Sequence, residues 1–332
     1  MNEDAEVQKM LQAVVLHKVD AEKGEGVELT KAQKVQGYPT FILANADAQP
    51  IDRWMGYSKD LLGDMLTESM SDLATIDVKR ERFSKSPSAK DAVKLARYDE
   101  STGEFATAVD LYGRAAELDP ADDYAFEILD ASFSANRRNV EGFDLSRLER
   151  AADKVLAGSP DGMEIINLGQ MMASAAKRSD DEEMMVSYIK LAVERTADSS
   201  DEDVMKSRQD FLPAYALHVE KDPQKAVDLK KASMPEGWME DAGQLNTYAW
   251  WAFENQVDLK NAKILAEKGV ELAPDGKEKA QIIDTLAEIC NSLDDCAEAV
   301  ALIKLAIAQD PEGEYYKKQL ARFEELLAAK GD

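Results

Sequence analysis

The stretch AKILAEKGVELAP, residues 262–274, decides the fold. Small residues and a proline follow one another in it at spacings of four, three and five positions: Ala262, Ala266, Gly269 and Pro274. Small residues at the first and third positions let two helices approach closely, and proline ends a helix. Residues 299–311 (AVALIKLAIAQDP) and 108–120 (AVDLYGRAAELDP) keep the same spacing. The pattern predicts the second helix of a helix pair, used at least three times.

The pattern recurs with a period close to 34 residues, in units of about 89–122, 243–276 and 280–313. Weaker copies lie between them, around Leu148 and, less clearly, around Met185 and Ala226. This repeat resembles the tetratricopeptide (TPR) repeat, whose first helix residues 245–250 and 284–288 match. The resemblance implies a helical solenoid of about six helix pairs over residues 89–332, with a polar capping helix at its end. It also implies a groove that holds a protein or peptide partner.

Two adjacent tryptophans in the first helix of one repeat are candidates for that groove. Adjacent helical residues point about 100° apart, so only one of them can face the partner. The repeat alignment predicts Trp250 at the close-packed position and Trp251 in the groove, where it would anchor a peptide. Ordinary packing of Trp251 within the solenoid is the alternative.

The first 73 residues have a different pattern. Apolar and β-branched runs predict strands at 13–19, 40–43 and 51–57, and residues 25–34 and 59–73 predict helices. Residues 45–50 lack the Asp-Gly pair typical of a tight hairpin, and Ala48 does not favour positive φ. The turn is therefore predicted to be longer or of another type.

This region resembles the C-terminal two thirds of a thioredoxin domain, over roughly residues 3–73. The match rests on Lys18–Glu22, on the Val-Gln-Gly-Tyr-Pro-Thr-Phe stretch at 35–41, on 51–53 and on Gly56-Tyr57. The resemblance implies that the bond before Pro39 is cis, and that Tyr38, Pro39 and Thr40 form a substrate-binding loop. In bacteria, similar proteins fuse such a domain to TPR repeats, and the thioredoxin part is often exported.

The Cys-x-x-Cys pair of thioredoxins, with its strand and helix, is absent before residue 13. A start placed too late or a shortened chain, a natural remnant with a docking role, and a chance resemblance are the three interpretations. The first predicts no strand between residues 14–20 and 40–44, and unpaired sheet edges that favour self-association. A complete four-stranded sheet within residues 1–73 would contradict it.

The composition of the chain argues against several classes of function. The chain has 332 residues, with 40 Lys and Arg against 65 Asp and Glu, for a net charge of −25. Such a charge disfavours binding to nucleic acid and to anionic membrane, and no run of 18 apolar residues predicts a membrane span. The basic residues of 75–88 predict a solvated linker or a salt contact between domains. Cys290 and Cys296 are predicted to be packing thiols, with a disulfide as the alternative, and no metal or cofactor is predicted.

The sequence therefore predicts a mainly α protein: a TPR-like solenoid at 89–332, preceded by an incomplete thioredoxin-like α/β domain at 1–74 and a linker at 75–88. The predicted function is a protein-interaction scaffold with a redox-inactive thioredoxin-like module. The alternative is a thiol–disulfide oxidoreductase whose catalytic part lies outside this sequence.

Overall fold

A computed structural model describes residues 4–330. Helices account for most of this range, with one two-stranded sheet near its start. The predicted fold class, a mainly α solenoid behind a small α/β segment, is confirmed. The described residues divide into two compact units, and the chain passes from one to the other between Tyr188 and Ile189.

The first unit opens with the small α/β segment. Its elements are α1 (Ala5–Met10), α2 (Glu25–Ala32), β1 (Thr40–Ala44), β2 (Pro50–Met55), α3 (Lys59–Met70) and α4 (Ile76–Lys85). The two strands pair antiparallel, with Phe41 opposite Trp54. Their rings stack with centroids 5.3 Å apart over a small core that α1 and α3 complete. Both strands, α2 and α3 were predicted from the sequence, and α1 was not.

The predicted strand at 13–19 is wrong. Residues 11–13 form a turn of 3-10 helix, and residues 15–20 have no regular structure. Val15 is 98% exposed and Val19 is 41% exposed. A β-branched run becomes a strand only where its backbone groups find a partner, and none of the described residues pairs with this run. Within residues 4–330 the sheet has two strands, not four.

The hairpin between the strands spans a longer loop, as predicted. Asn45 and Gln49 close it, and the Asn45 side chain accepts hydrogen bonds from the N–H groups of Asp47 (3.0 Å) and Gln49 (2.9 Å). Ala48 adopts φ of 59°, contrary to its predicted avoidance of positive φ. The side chain of Asn45 holds this loop from within, which stabilises a conformation that alanine alone disfavours.

Helix hairpins make up the rest of the first unit. The helices are α5 (Ala89–Ser101), α6 (Phe105–Leu118), α7 (Ala125–Arg137), α8 (Leu145–Ala157) and α9 (Gly162–Arg178). The next helix, α10 (Glu182–Arg195), crosses the boundary between the units. Side chains cap the start of three of the helices α5–α9: Ser88 caps α5, Asp144 caps α8, and Asp161 and Glu164 form a reciprocal capping box at α9.

The second unit continues with the same architecture. Its helices are α11 (Glu202–His218), α12 (Pro223–Ser233), α13 (Ala242–Glu254), α14 (Leu259–Leu272), α15 (Lys277–Ser292), α16 (Cys296–Gln309) and α17 (Glu314–Lys330). The small residues of the opening motif, Ala262, Ala266 and Gly269, are buried in α14. A Cβ on Gly269 would lie 3.2 Å from the Ile282 side chain, so this position needs a small residue. Close helix contact explains the motif.

One backbone turn ends the first helix of every hairpin. A single residue with φ between 50° and 90° follows each of these helices: Gly103, Asn139, Asp180, Lys221, Gln256 and Asp294. In five of the six, the next N–H bonds the carbonyl five residues back, as Asp295 does to Cys290 at 2.9 Å. This is the Schellman type of helix end. The turn residues follow one another at intervals of 35 to 41 positions, longer than the predicted 34.

Ion pairs and hydrogen bonds attach the α/β segment to the first hairpin. Lys94 of α5 and Asp52 of β2 are each 2% exposed and pair at 3.1 Å. Helix α4 adds ion pairs from Arg80 to Asp99 and from Arg82 to Asp91. Residues 75–88 thus form a helix with the predicted salt contact, rather than a solvated linker.

Lys79 of α4 is fully buried without a carboxylate partner. Its ammonium donates to the carbonyl of Ile51 at 2.9 Å, to that of Asp72 at 3.2 Å and to that of Ala74. Burial lowers the pKa of this lysine. Three carbonyls satisfy the three N–H donors, so the side chain ties β2, the end of α3 and the start of α4 together.

Candidate functional site

Helices α13 and α15 of the second unit repeat one burial pattern 38 residues apart. Each buries four residues that match in spacing: Leu245, Tyr248, Ala249 and Ala252 in α13, and Ile283, Leu286, Ala287 and Cys290 in α15. The two helices pack against each other. Residues 38 positions apart therefore occupy equivalent places in the two helices. Three equivalent pairs lie beside the buried ones: Asn246 with Asp284, Trp250 with Glu288, and Phe253 with Asn291. We call the surface formed by Asn246, Trp250, Phe253, Asp284 and Glu288 the first-helix face.

An aromatic pair occupies one end of this face. Trp250 is 38% exposed, and its ring centroid lies 5.1 Å from that of Phe253. The predicted close-packed position of Trp250 is therefore wrong: Tyr248 and Ala249, both fully buried, take the close-packed positions of α13. The sequence alignment is therefore one residue out of register in this helix, because Ala249 and not Trp250 is the buried neighbour of Tyr248.

Trp251, the predicted groove residue, is half-buried. Its ring lies 5.9 Å from that of Tyr248, and it packs against the main apolar core of the unit. Trp238 contacts the same tyrosine at 5.4 Å. The Tyr248 hydroxyl donates to Asp258 Oδ2 at 2.5 Å, which together with burial raises the pKa of this tyrosine far above its ordinary value. The surroundings of Trp251 are thus a packed aromatic cluster, and a role in partner binding stays a prediction.

Two carboxylates lie at the other end of the first-helix face. Asp284 is 7% exposed and Glu288 is 6% exposed. They are one helical turn apart on α15, so their side chains are neighbours. Burial and the charge of Glu288 raise the pKa of Asp284 to about 6.

Side chains of α17 contact both acids. Arg322 forms an ion pair with Glu288, and Gln319 Nε2 donates to Glu288 Oε1 at 3.1 Å. Asp284 receives only the Tyr315 hydroxyl, which donates to Oδ2 at 3.2 Å. Asp284 Oδ1 is buried without a hydrogen-bond partner, and so is Asn246 Oδ1 at the equivalent position of α13.

A second group of buried acids belongs to the first unit. Glu100 of α5 accepts a hydrogen bond from the Tyr112 hydroxyl at 3.1 Å. Burial and the neighbouring Asp130 raise the pKa of Glu100 to about 7, and burial also raises the pKa of Asp130. Burial and a second carboxyl beside it therefore both favour the protonated form of Glu100.

The predicted substrate loop lies in the α/β segment. The peptide bond between Tyr38 and Pro39 is cis, the geometry that the thioredoxin resemblance implies. Tyr38 is 64% exposed, and the Thr40 hydroxyl donates to the carbonyl of Gly37 at 2.6 Å. These three residues are consecutive and lie together, whereas Trp251 belongs to the other unit. Binding at this loop stays a prediction.

Both cysteines are buried free thiols in the second unit. Cys290 is fully buried, and burial raises its pKa to about 12. Cys296 is 3% exposed, and its Sγ lies 3.2 Å from Asn291 Oδ1. Packing thiols were predicted, and the disulfide alternative is not present. A thiol that ionises as poorly as that of Cys290 is a weak nucleophile.

Neither a metal-binding cluster nor a membrane-spanning helix is found among the described residues. Across positions 4–330, no three His, Cys, Asp or Glu side chains converge to hold a metal ion. None of the helices in this range is long and apolar enough to span a bilayer.

Comparisons with known proteins give fold-level similarity only. No protein-family model matches the chain, and no curated protein matches it. Among solved structures it is similar to BtubC (BKLC) from P. vanneervenii, at 14% identity over 62% of this chain and 88% of that one, with a TM-score of 0.42.

Two further solved structures are similar at the same level. One is YrrB, a TPR protein with an unusual peptide-binding site, at 14% identity over 74% of this chain and 98% of that one, TM-score 0.37. The other is the APC/C hetero-tetramer Cut9–Hcn1, at 12% identity over 80% of this chain and 49% of that one, TM-score 0.44. Sequence identities and TM-scores this low do not indicate a shared function.

Proposed function

We propose that this protein is an interaction scaffold that binds a peptide segment of a partner protein on the first-helix face of its second unit. The packed helix hairpins hold surface side chains in fixed positions, which is what a binding surface requires. The small α/β segment serves as a docked, redox-inactive module of thioredoxin-like ancestry. Disulfide exchange is not part of the proposal, since both cysteines of the chain are buried in the second unit.

The exposed ring of Trp250, supported by the half-buried Phe253, is the observation that carries the proposal. A tryptophan that is 38% exposed, against an aromatic neighbour at 5.1 Å, offers a large apolar area whose shape is already fixed. Such anchors bind partners with little loss of side-chain entropy. Beside them, Asn246 and Asp284 supply polar atoms that could orient a bound segment.

The two adjacent tryptophans provide a matched experiment. We expect Trp250→Ala to weaken peptide binding at least tenfold and to leave the melting temperature within a few degrees of wild type. Trp251→Ala should instead lower stability by roughly 2–3 kcal/mol, because it removes packing on Tyr248 and the core. Binding is measured on a randomised library of labelled decapeptides, and stability by circular dichroism. Unchanged binding by Trp250→Ala, with a folded protein, would contradict the proposal.

Self-association through the α/β segment is a further part of the proposed function. The extended residues after the 3-10 turn expose Val15, Leu16 and Val19. A shallow depression of about 590 Å³ lies between residues 17–20 and α2. Unpaired strand edges and exposed apolar residues favour pairing with a second chain. Sedimentation equilibrium should show a dimer that Val15→Lys dissociates; a monomer at all concentrations would exclude it.

A further inference from the structure

Two buried acceptor atoms of the second unit lack donors. Asp284 Oδ1 and Asn246 Oδ1 are both shielded from solvent and make no hydrogen bond. Asp284 is 93% buried as a residue, since its exposure is 7%. A buried polar atom without a partner is costly, and native proteins rarely keep one without a reason.

The two atoms come from equivalent positions. Asn246 and Asp284 are 38 residues apart, the same offset that relates the buried residues of α13 and α15, and these helices pack together. In both helices the residue whose Oδ1 atom lacks a donor follows directly after a buried apolar residue, Leu245 or Ile283. The two packed helices therefore each carry, at the same repeat position, one buried acceptor that needs a donor.

The charge balance of the acidic pair identifies the chemistry of that ligand. Two carboxylates, Asp284 and Glu288, face one cation, Arg322, and the guanidinium pairs with Glu288. Asp284 accepts its hydrogen bond from the neutral Tyr315 hydroxyl, and Arg322 acts on it only through its charge. Burial and the charge of Glu288 raise the pKa of Asp284 in spite of Arg322, so its negative charge is only partly compensated. The missing group is one positive charge with several N–H donors.

We propose that Asp284 and Asn246 bind the side chain of a lysine or arginine from the partner peptide. This inference rests on the proposed function and specifies the partner as a basic peptide. An ammonium has three donors and a guanidinium five, enough to satisfy both orphan oxygens. Charge-assisted hydrogen bonds of this kind are the stronger ones.

The neighbouring aromatic pair fits the same occupant. Trp250 lies one helical turn from Asn246, and its ring is exposed beside Phe253. Lysine and arginine carry a long apolar stem below the charged group, which packs well on an aromatic ring. A metal ion fits less well, because the described residues gather no three ligating side chains.

The Tyr315 hydroxyl occupies one oxygen of the Asp284 carboxylate. Its side chain is 52% exposed, and its hydroxyl donates to Asp284 Oδ2 while it accepts from Gln319 Nε2 at 2.6 Å. A basic side chain that enters would compete with this hydroxyl for the carboxylate. Removing the hydroxyl alone should therefore strengthen binding.

The experiment uses the full chain and labelled decapeptide libraries in which one position is fixed as Lys, Arg, norleucine or Glu. Norleucine keeps the apolar stem and removes the charge. Fluorescence anisotropy at physiological salt should give tightest binding with Lys or Arg fixed. Asp284→Asn should weaken binding to these two libraries at least tenfold and leave the norleucine library unchanged. Tyr315→Phe should tighten it at least twofold.

Glu271→Gln is the matched control, because Glu271 is an exposed acid on α14 and the substitution removes the same charge. It should change binding less than twofold. Equal losses in Asp284→Asn and Glu271→Gln would mean that only the overall charge attracts basic peptides, and would overturn the inference. So would weaker binding by Tyr315→Phe with an unchanged melting temperature.

The outcomes also separate this inference from the proposed function. If the norleucine library binds as tightly as the Lys and Arg libraries, and Trp250→Ala abolishes both, the scaffold proposal stands and the basic-peptide inference fails. If no library binds, both fail.

Discussion

Lys94→Met tests how the α/β segment is held on the first hairpin. Lys94 and Asp52 are both 2% exposed and pair at 3.1 Å. Removing one member of a buried pair leaves the other charge without compensation, which costs about 3–5 kcal/mol. Asp52 keeps hydrogen bonds from the N–H of Arg53 at 2.8 Å and from the Ser69 hydroxyl at 2.6 Å, so the loss should lie near the lower value.

The double variant Lys94→Met with Asp52→Asn isolates the charge from the packing. The asparagine amide removes the buried charge and can still accept from Ser69, so we expect its stability within about 1 kcal/mol of wild type. A surface control is at hand in Arg97, which pairs with Glu68 at 2.9 Å, both more than a third exposed. Arg97→Gln should cost less than about 1 kcal/mol.

The measurement is urea denaturation followed by circular dichroism, with hydrogen exchange of peptides that cover β2 and α3. Lys94→Met should speed exchange in both peptides, and the double variant should restore protection. The reasoning is refuted if Lys94→Met costs no more than Arg97→Gln, or if the double variant is less stable than Lys94→Met.

Two further predictions concern buried titratable groups. The pKa of Asp284, raised to about 6, means that the folded chain binds this proton more tightly than the unfolded one; the resulting stability is complete below about pH 4 and is lost as pH rises through 6. Asp284→Asn should thus match wild type at pH 4 and be more stable by up to about 3 kcal/mol at pH 8 in urea titrations, and a difference that does not vary with pH would contradict this. The thiols of Cys290 and Cys296 should react with a thiol reagent such as DTNB only after unfolding, because both are buried and burial raises the pKa of Cys290 to about 12. Rapid labelling of either thiol in native protein would be inconsistent with this burial.

The second helices of the repeats were predictable because close helix contact restricts residue size. Ala108, Ala262 and Ala299 are all fully buried, and so is Ala226 in a copy that matched only weakly. The length of each repeat was less predictable. The turn of the first hairpin uses Gly103, but the later ones use residues such as Lys221 and Gln256, which carry no turn signal. Repeat boundaries counted from the motif alone are therefore shifted where such turns vary the spacing, between 35 and 41 residues.

The acidic residues of the candidate site could not be identified from the sequence for a related reason. Carboxylates are so frequent in this chain that Asp284 and Glu288 look like any exposed acidic pair, and only their burial distinguishes them. Likewise, the run at 13–19 has the composition of a strand, but composition cannot supply the pairing partner on which a strand depends. In both cases the missing information is tertiary.

The charged contact between β2, α4 and α5 has a consequence for how the chain can be divided. By repeat boundaries alone, a fragment from residue 89 would be a natural expression unit. Such a fragment would keep Asp91, Lys94 and Asp99 but lose Arg82, Asp52 and Arg80, the groups that neutralise them. Helix α5 would then expose three charged side chains that are buried and ion-paired in the full chain. The smallest autonomous fragment is therefore set by charge compensation and not by the repeat, and deletion mapping of function should keep residues 4–101 together.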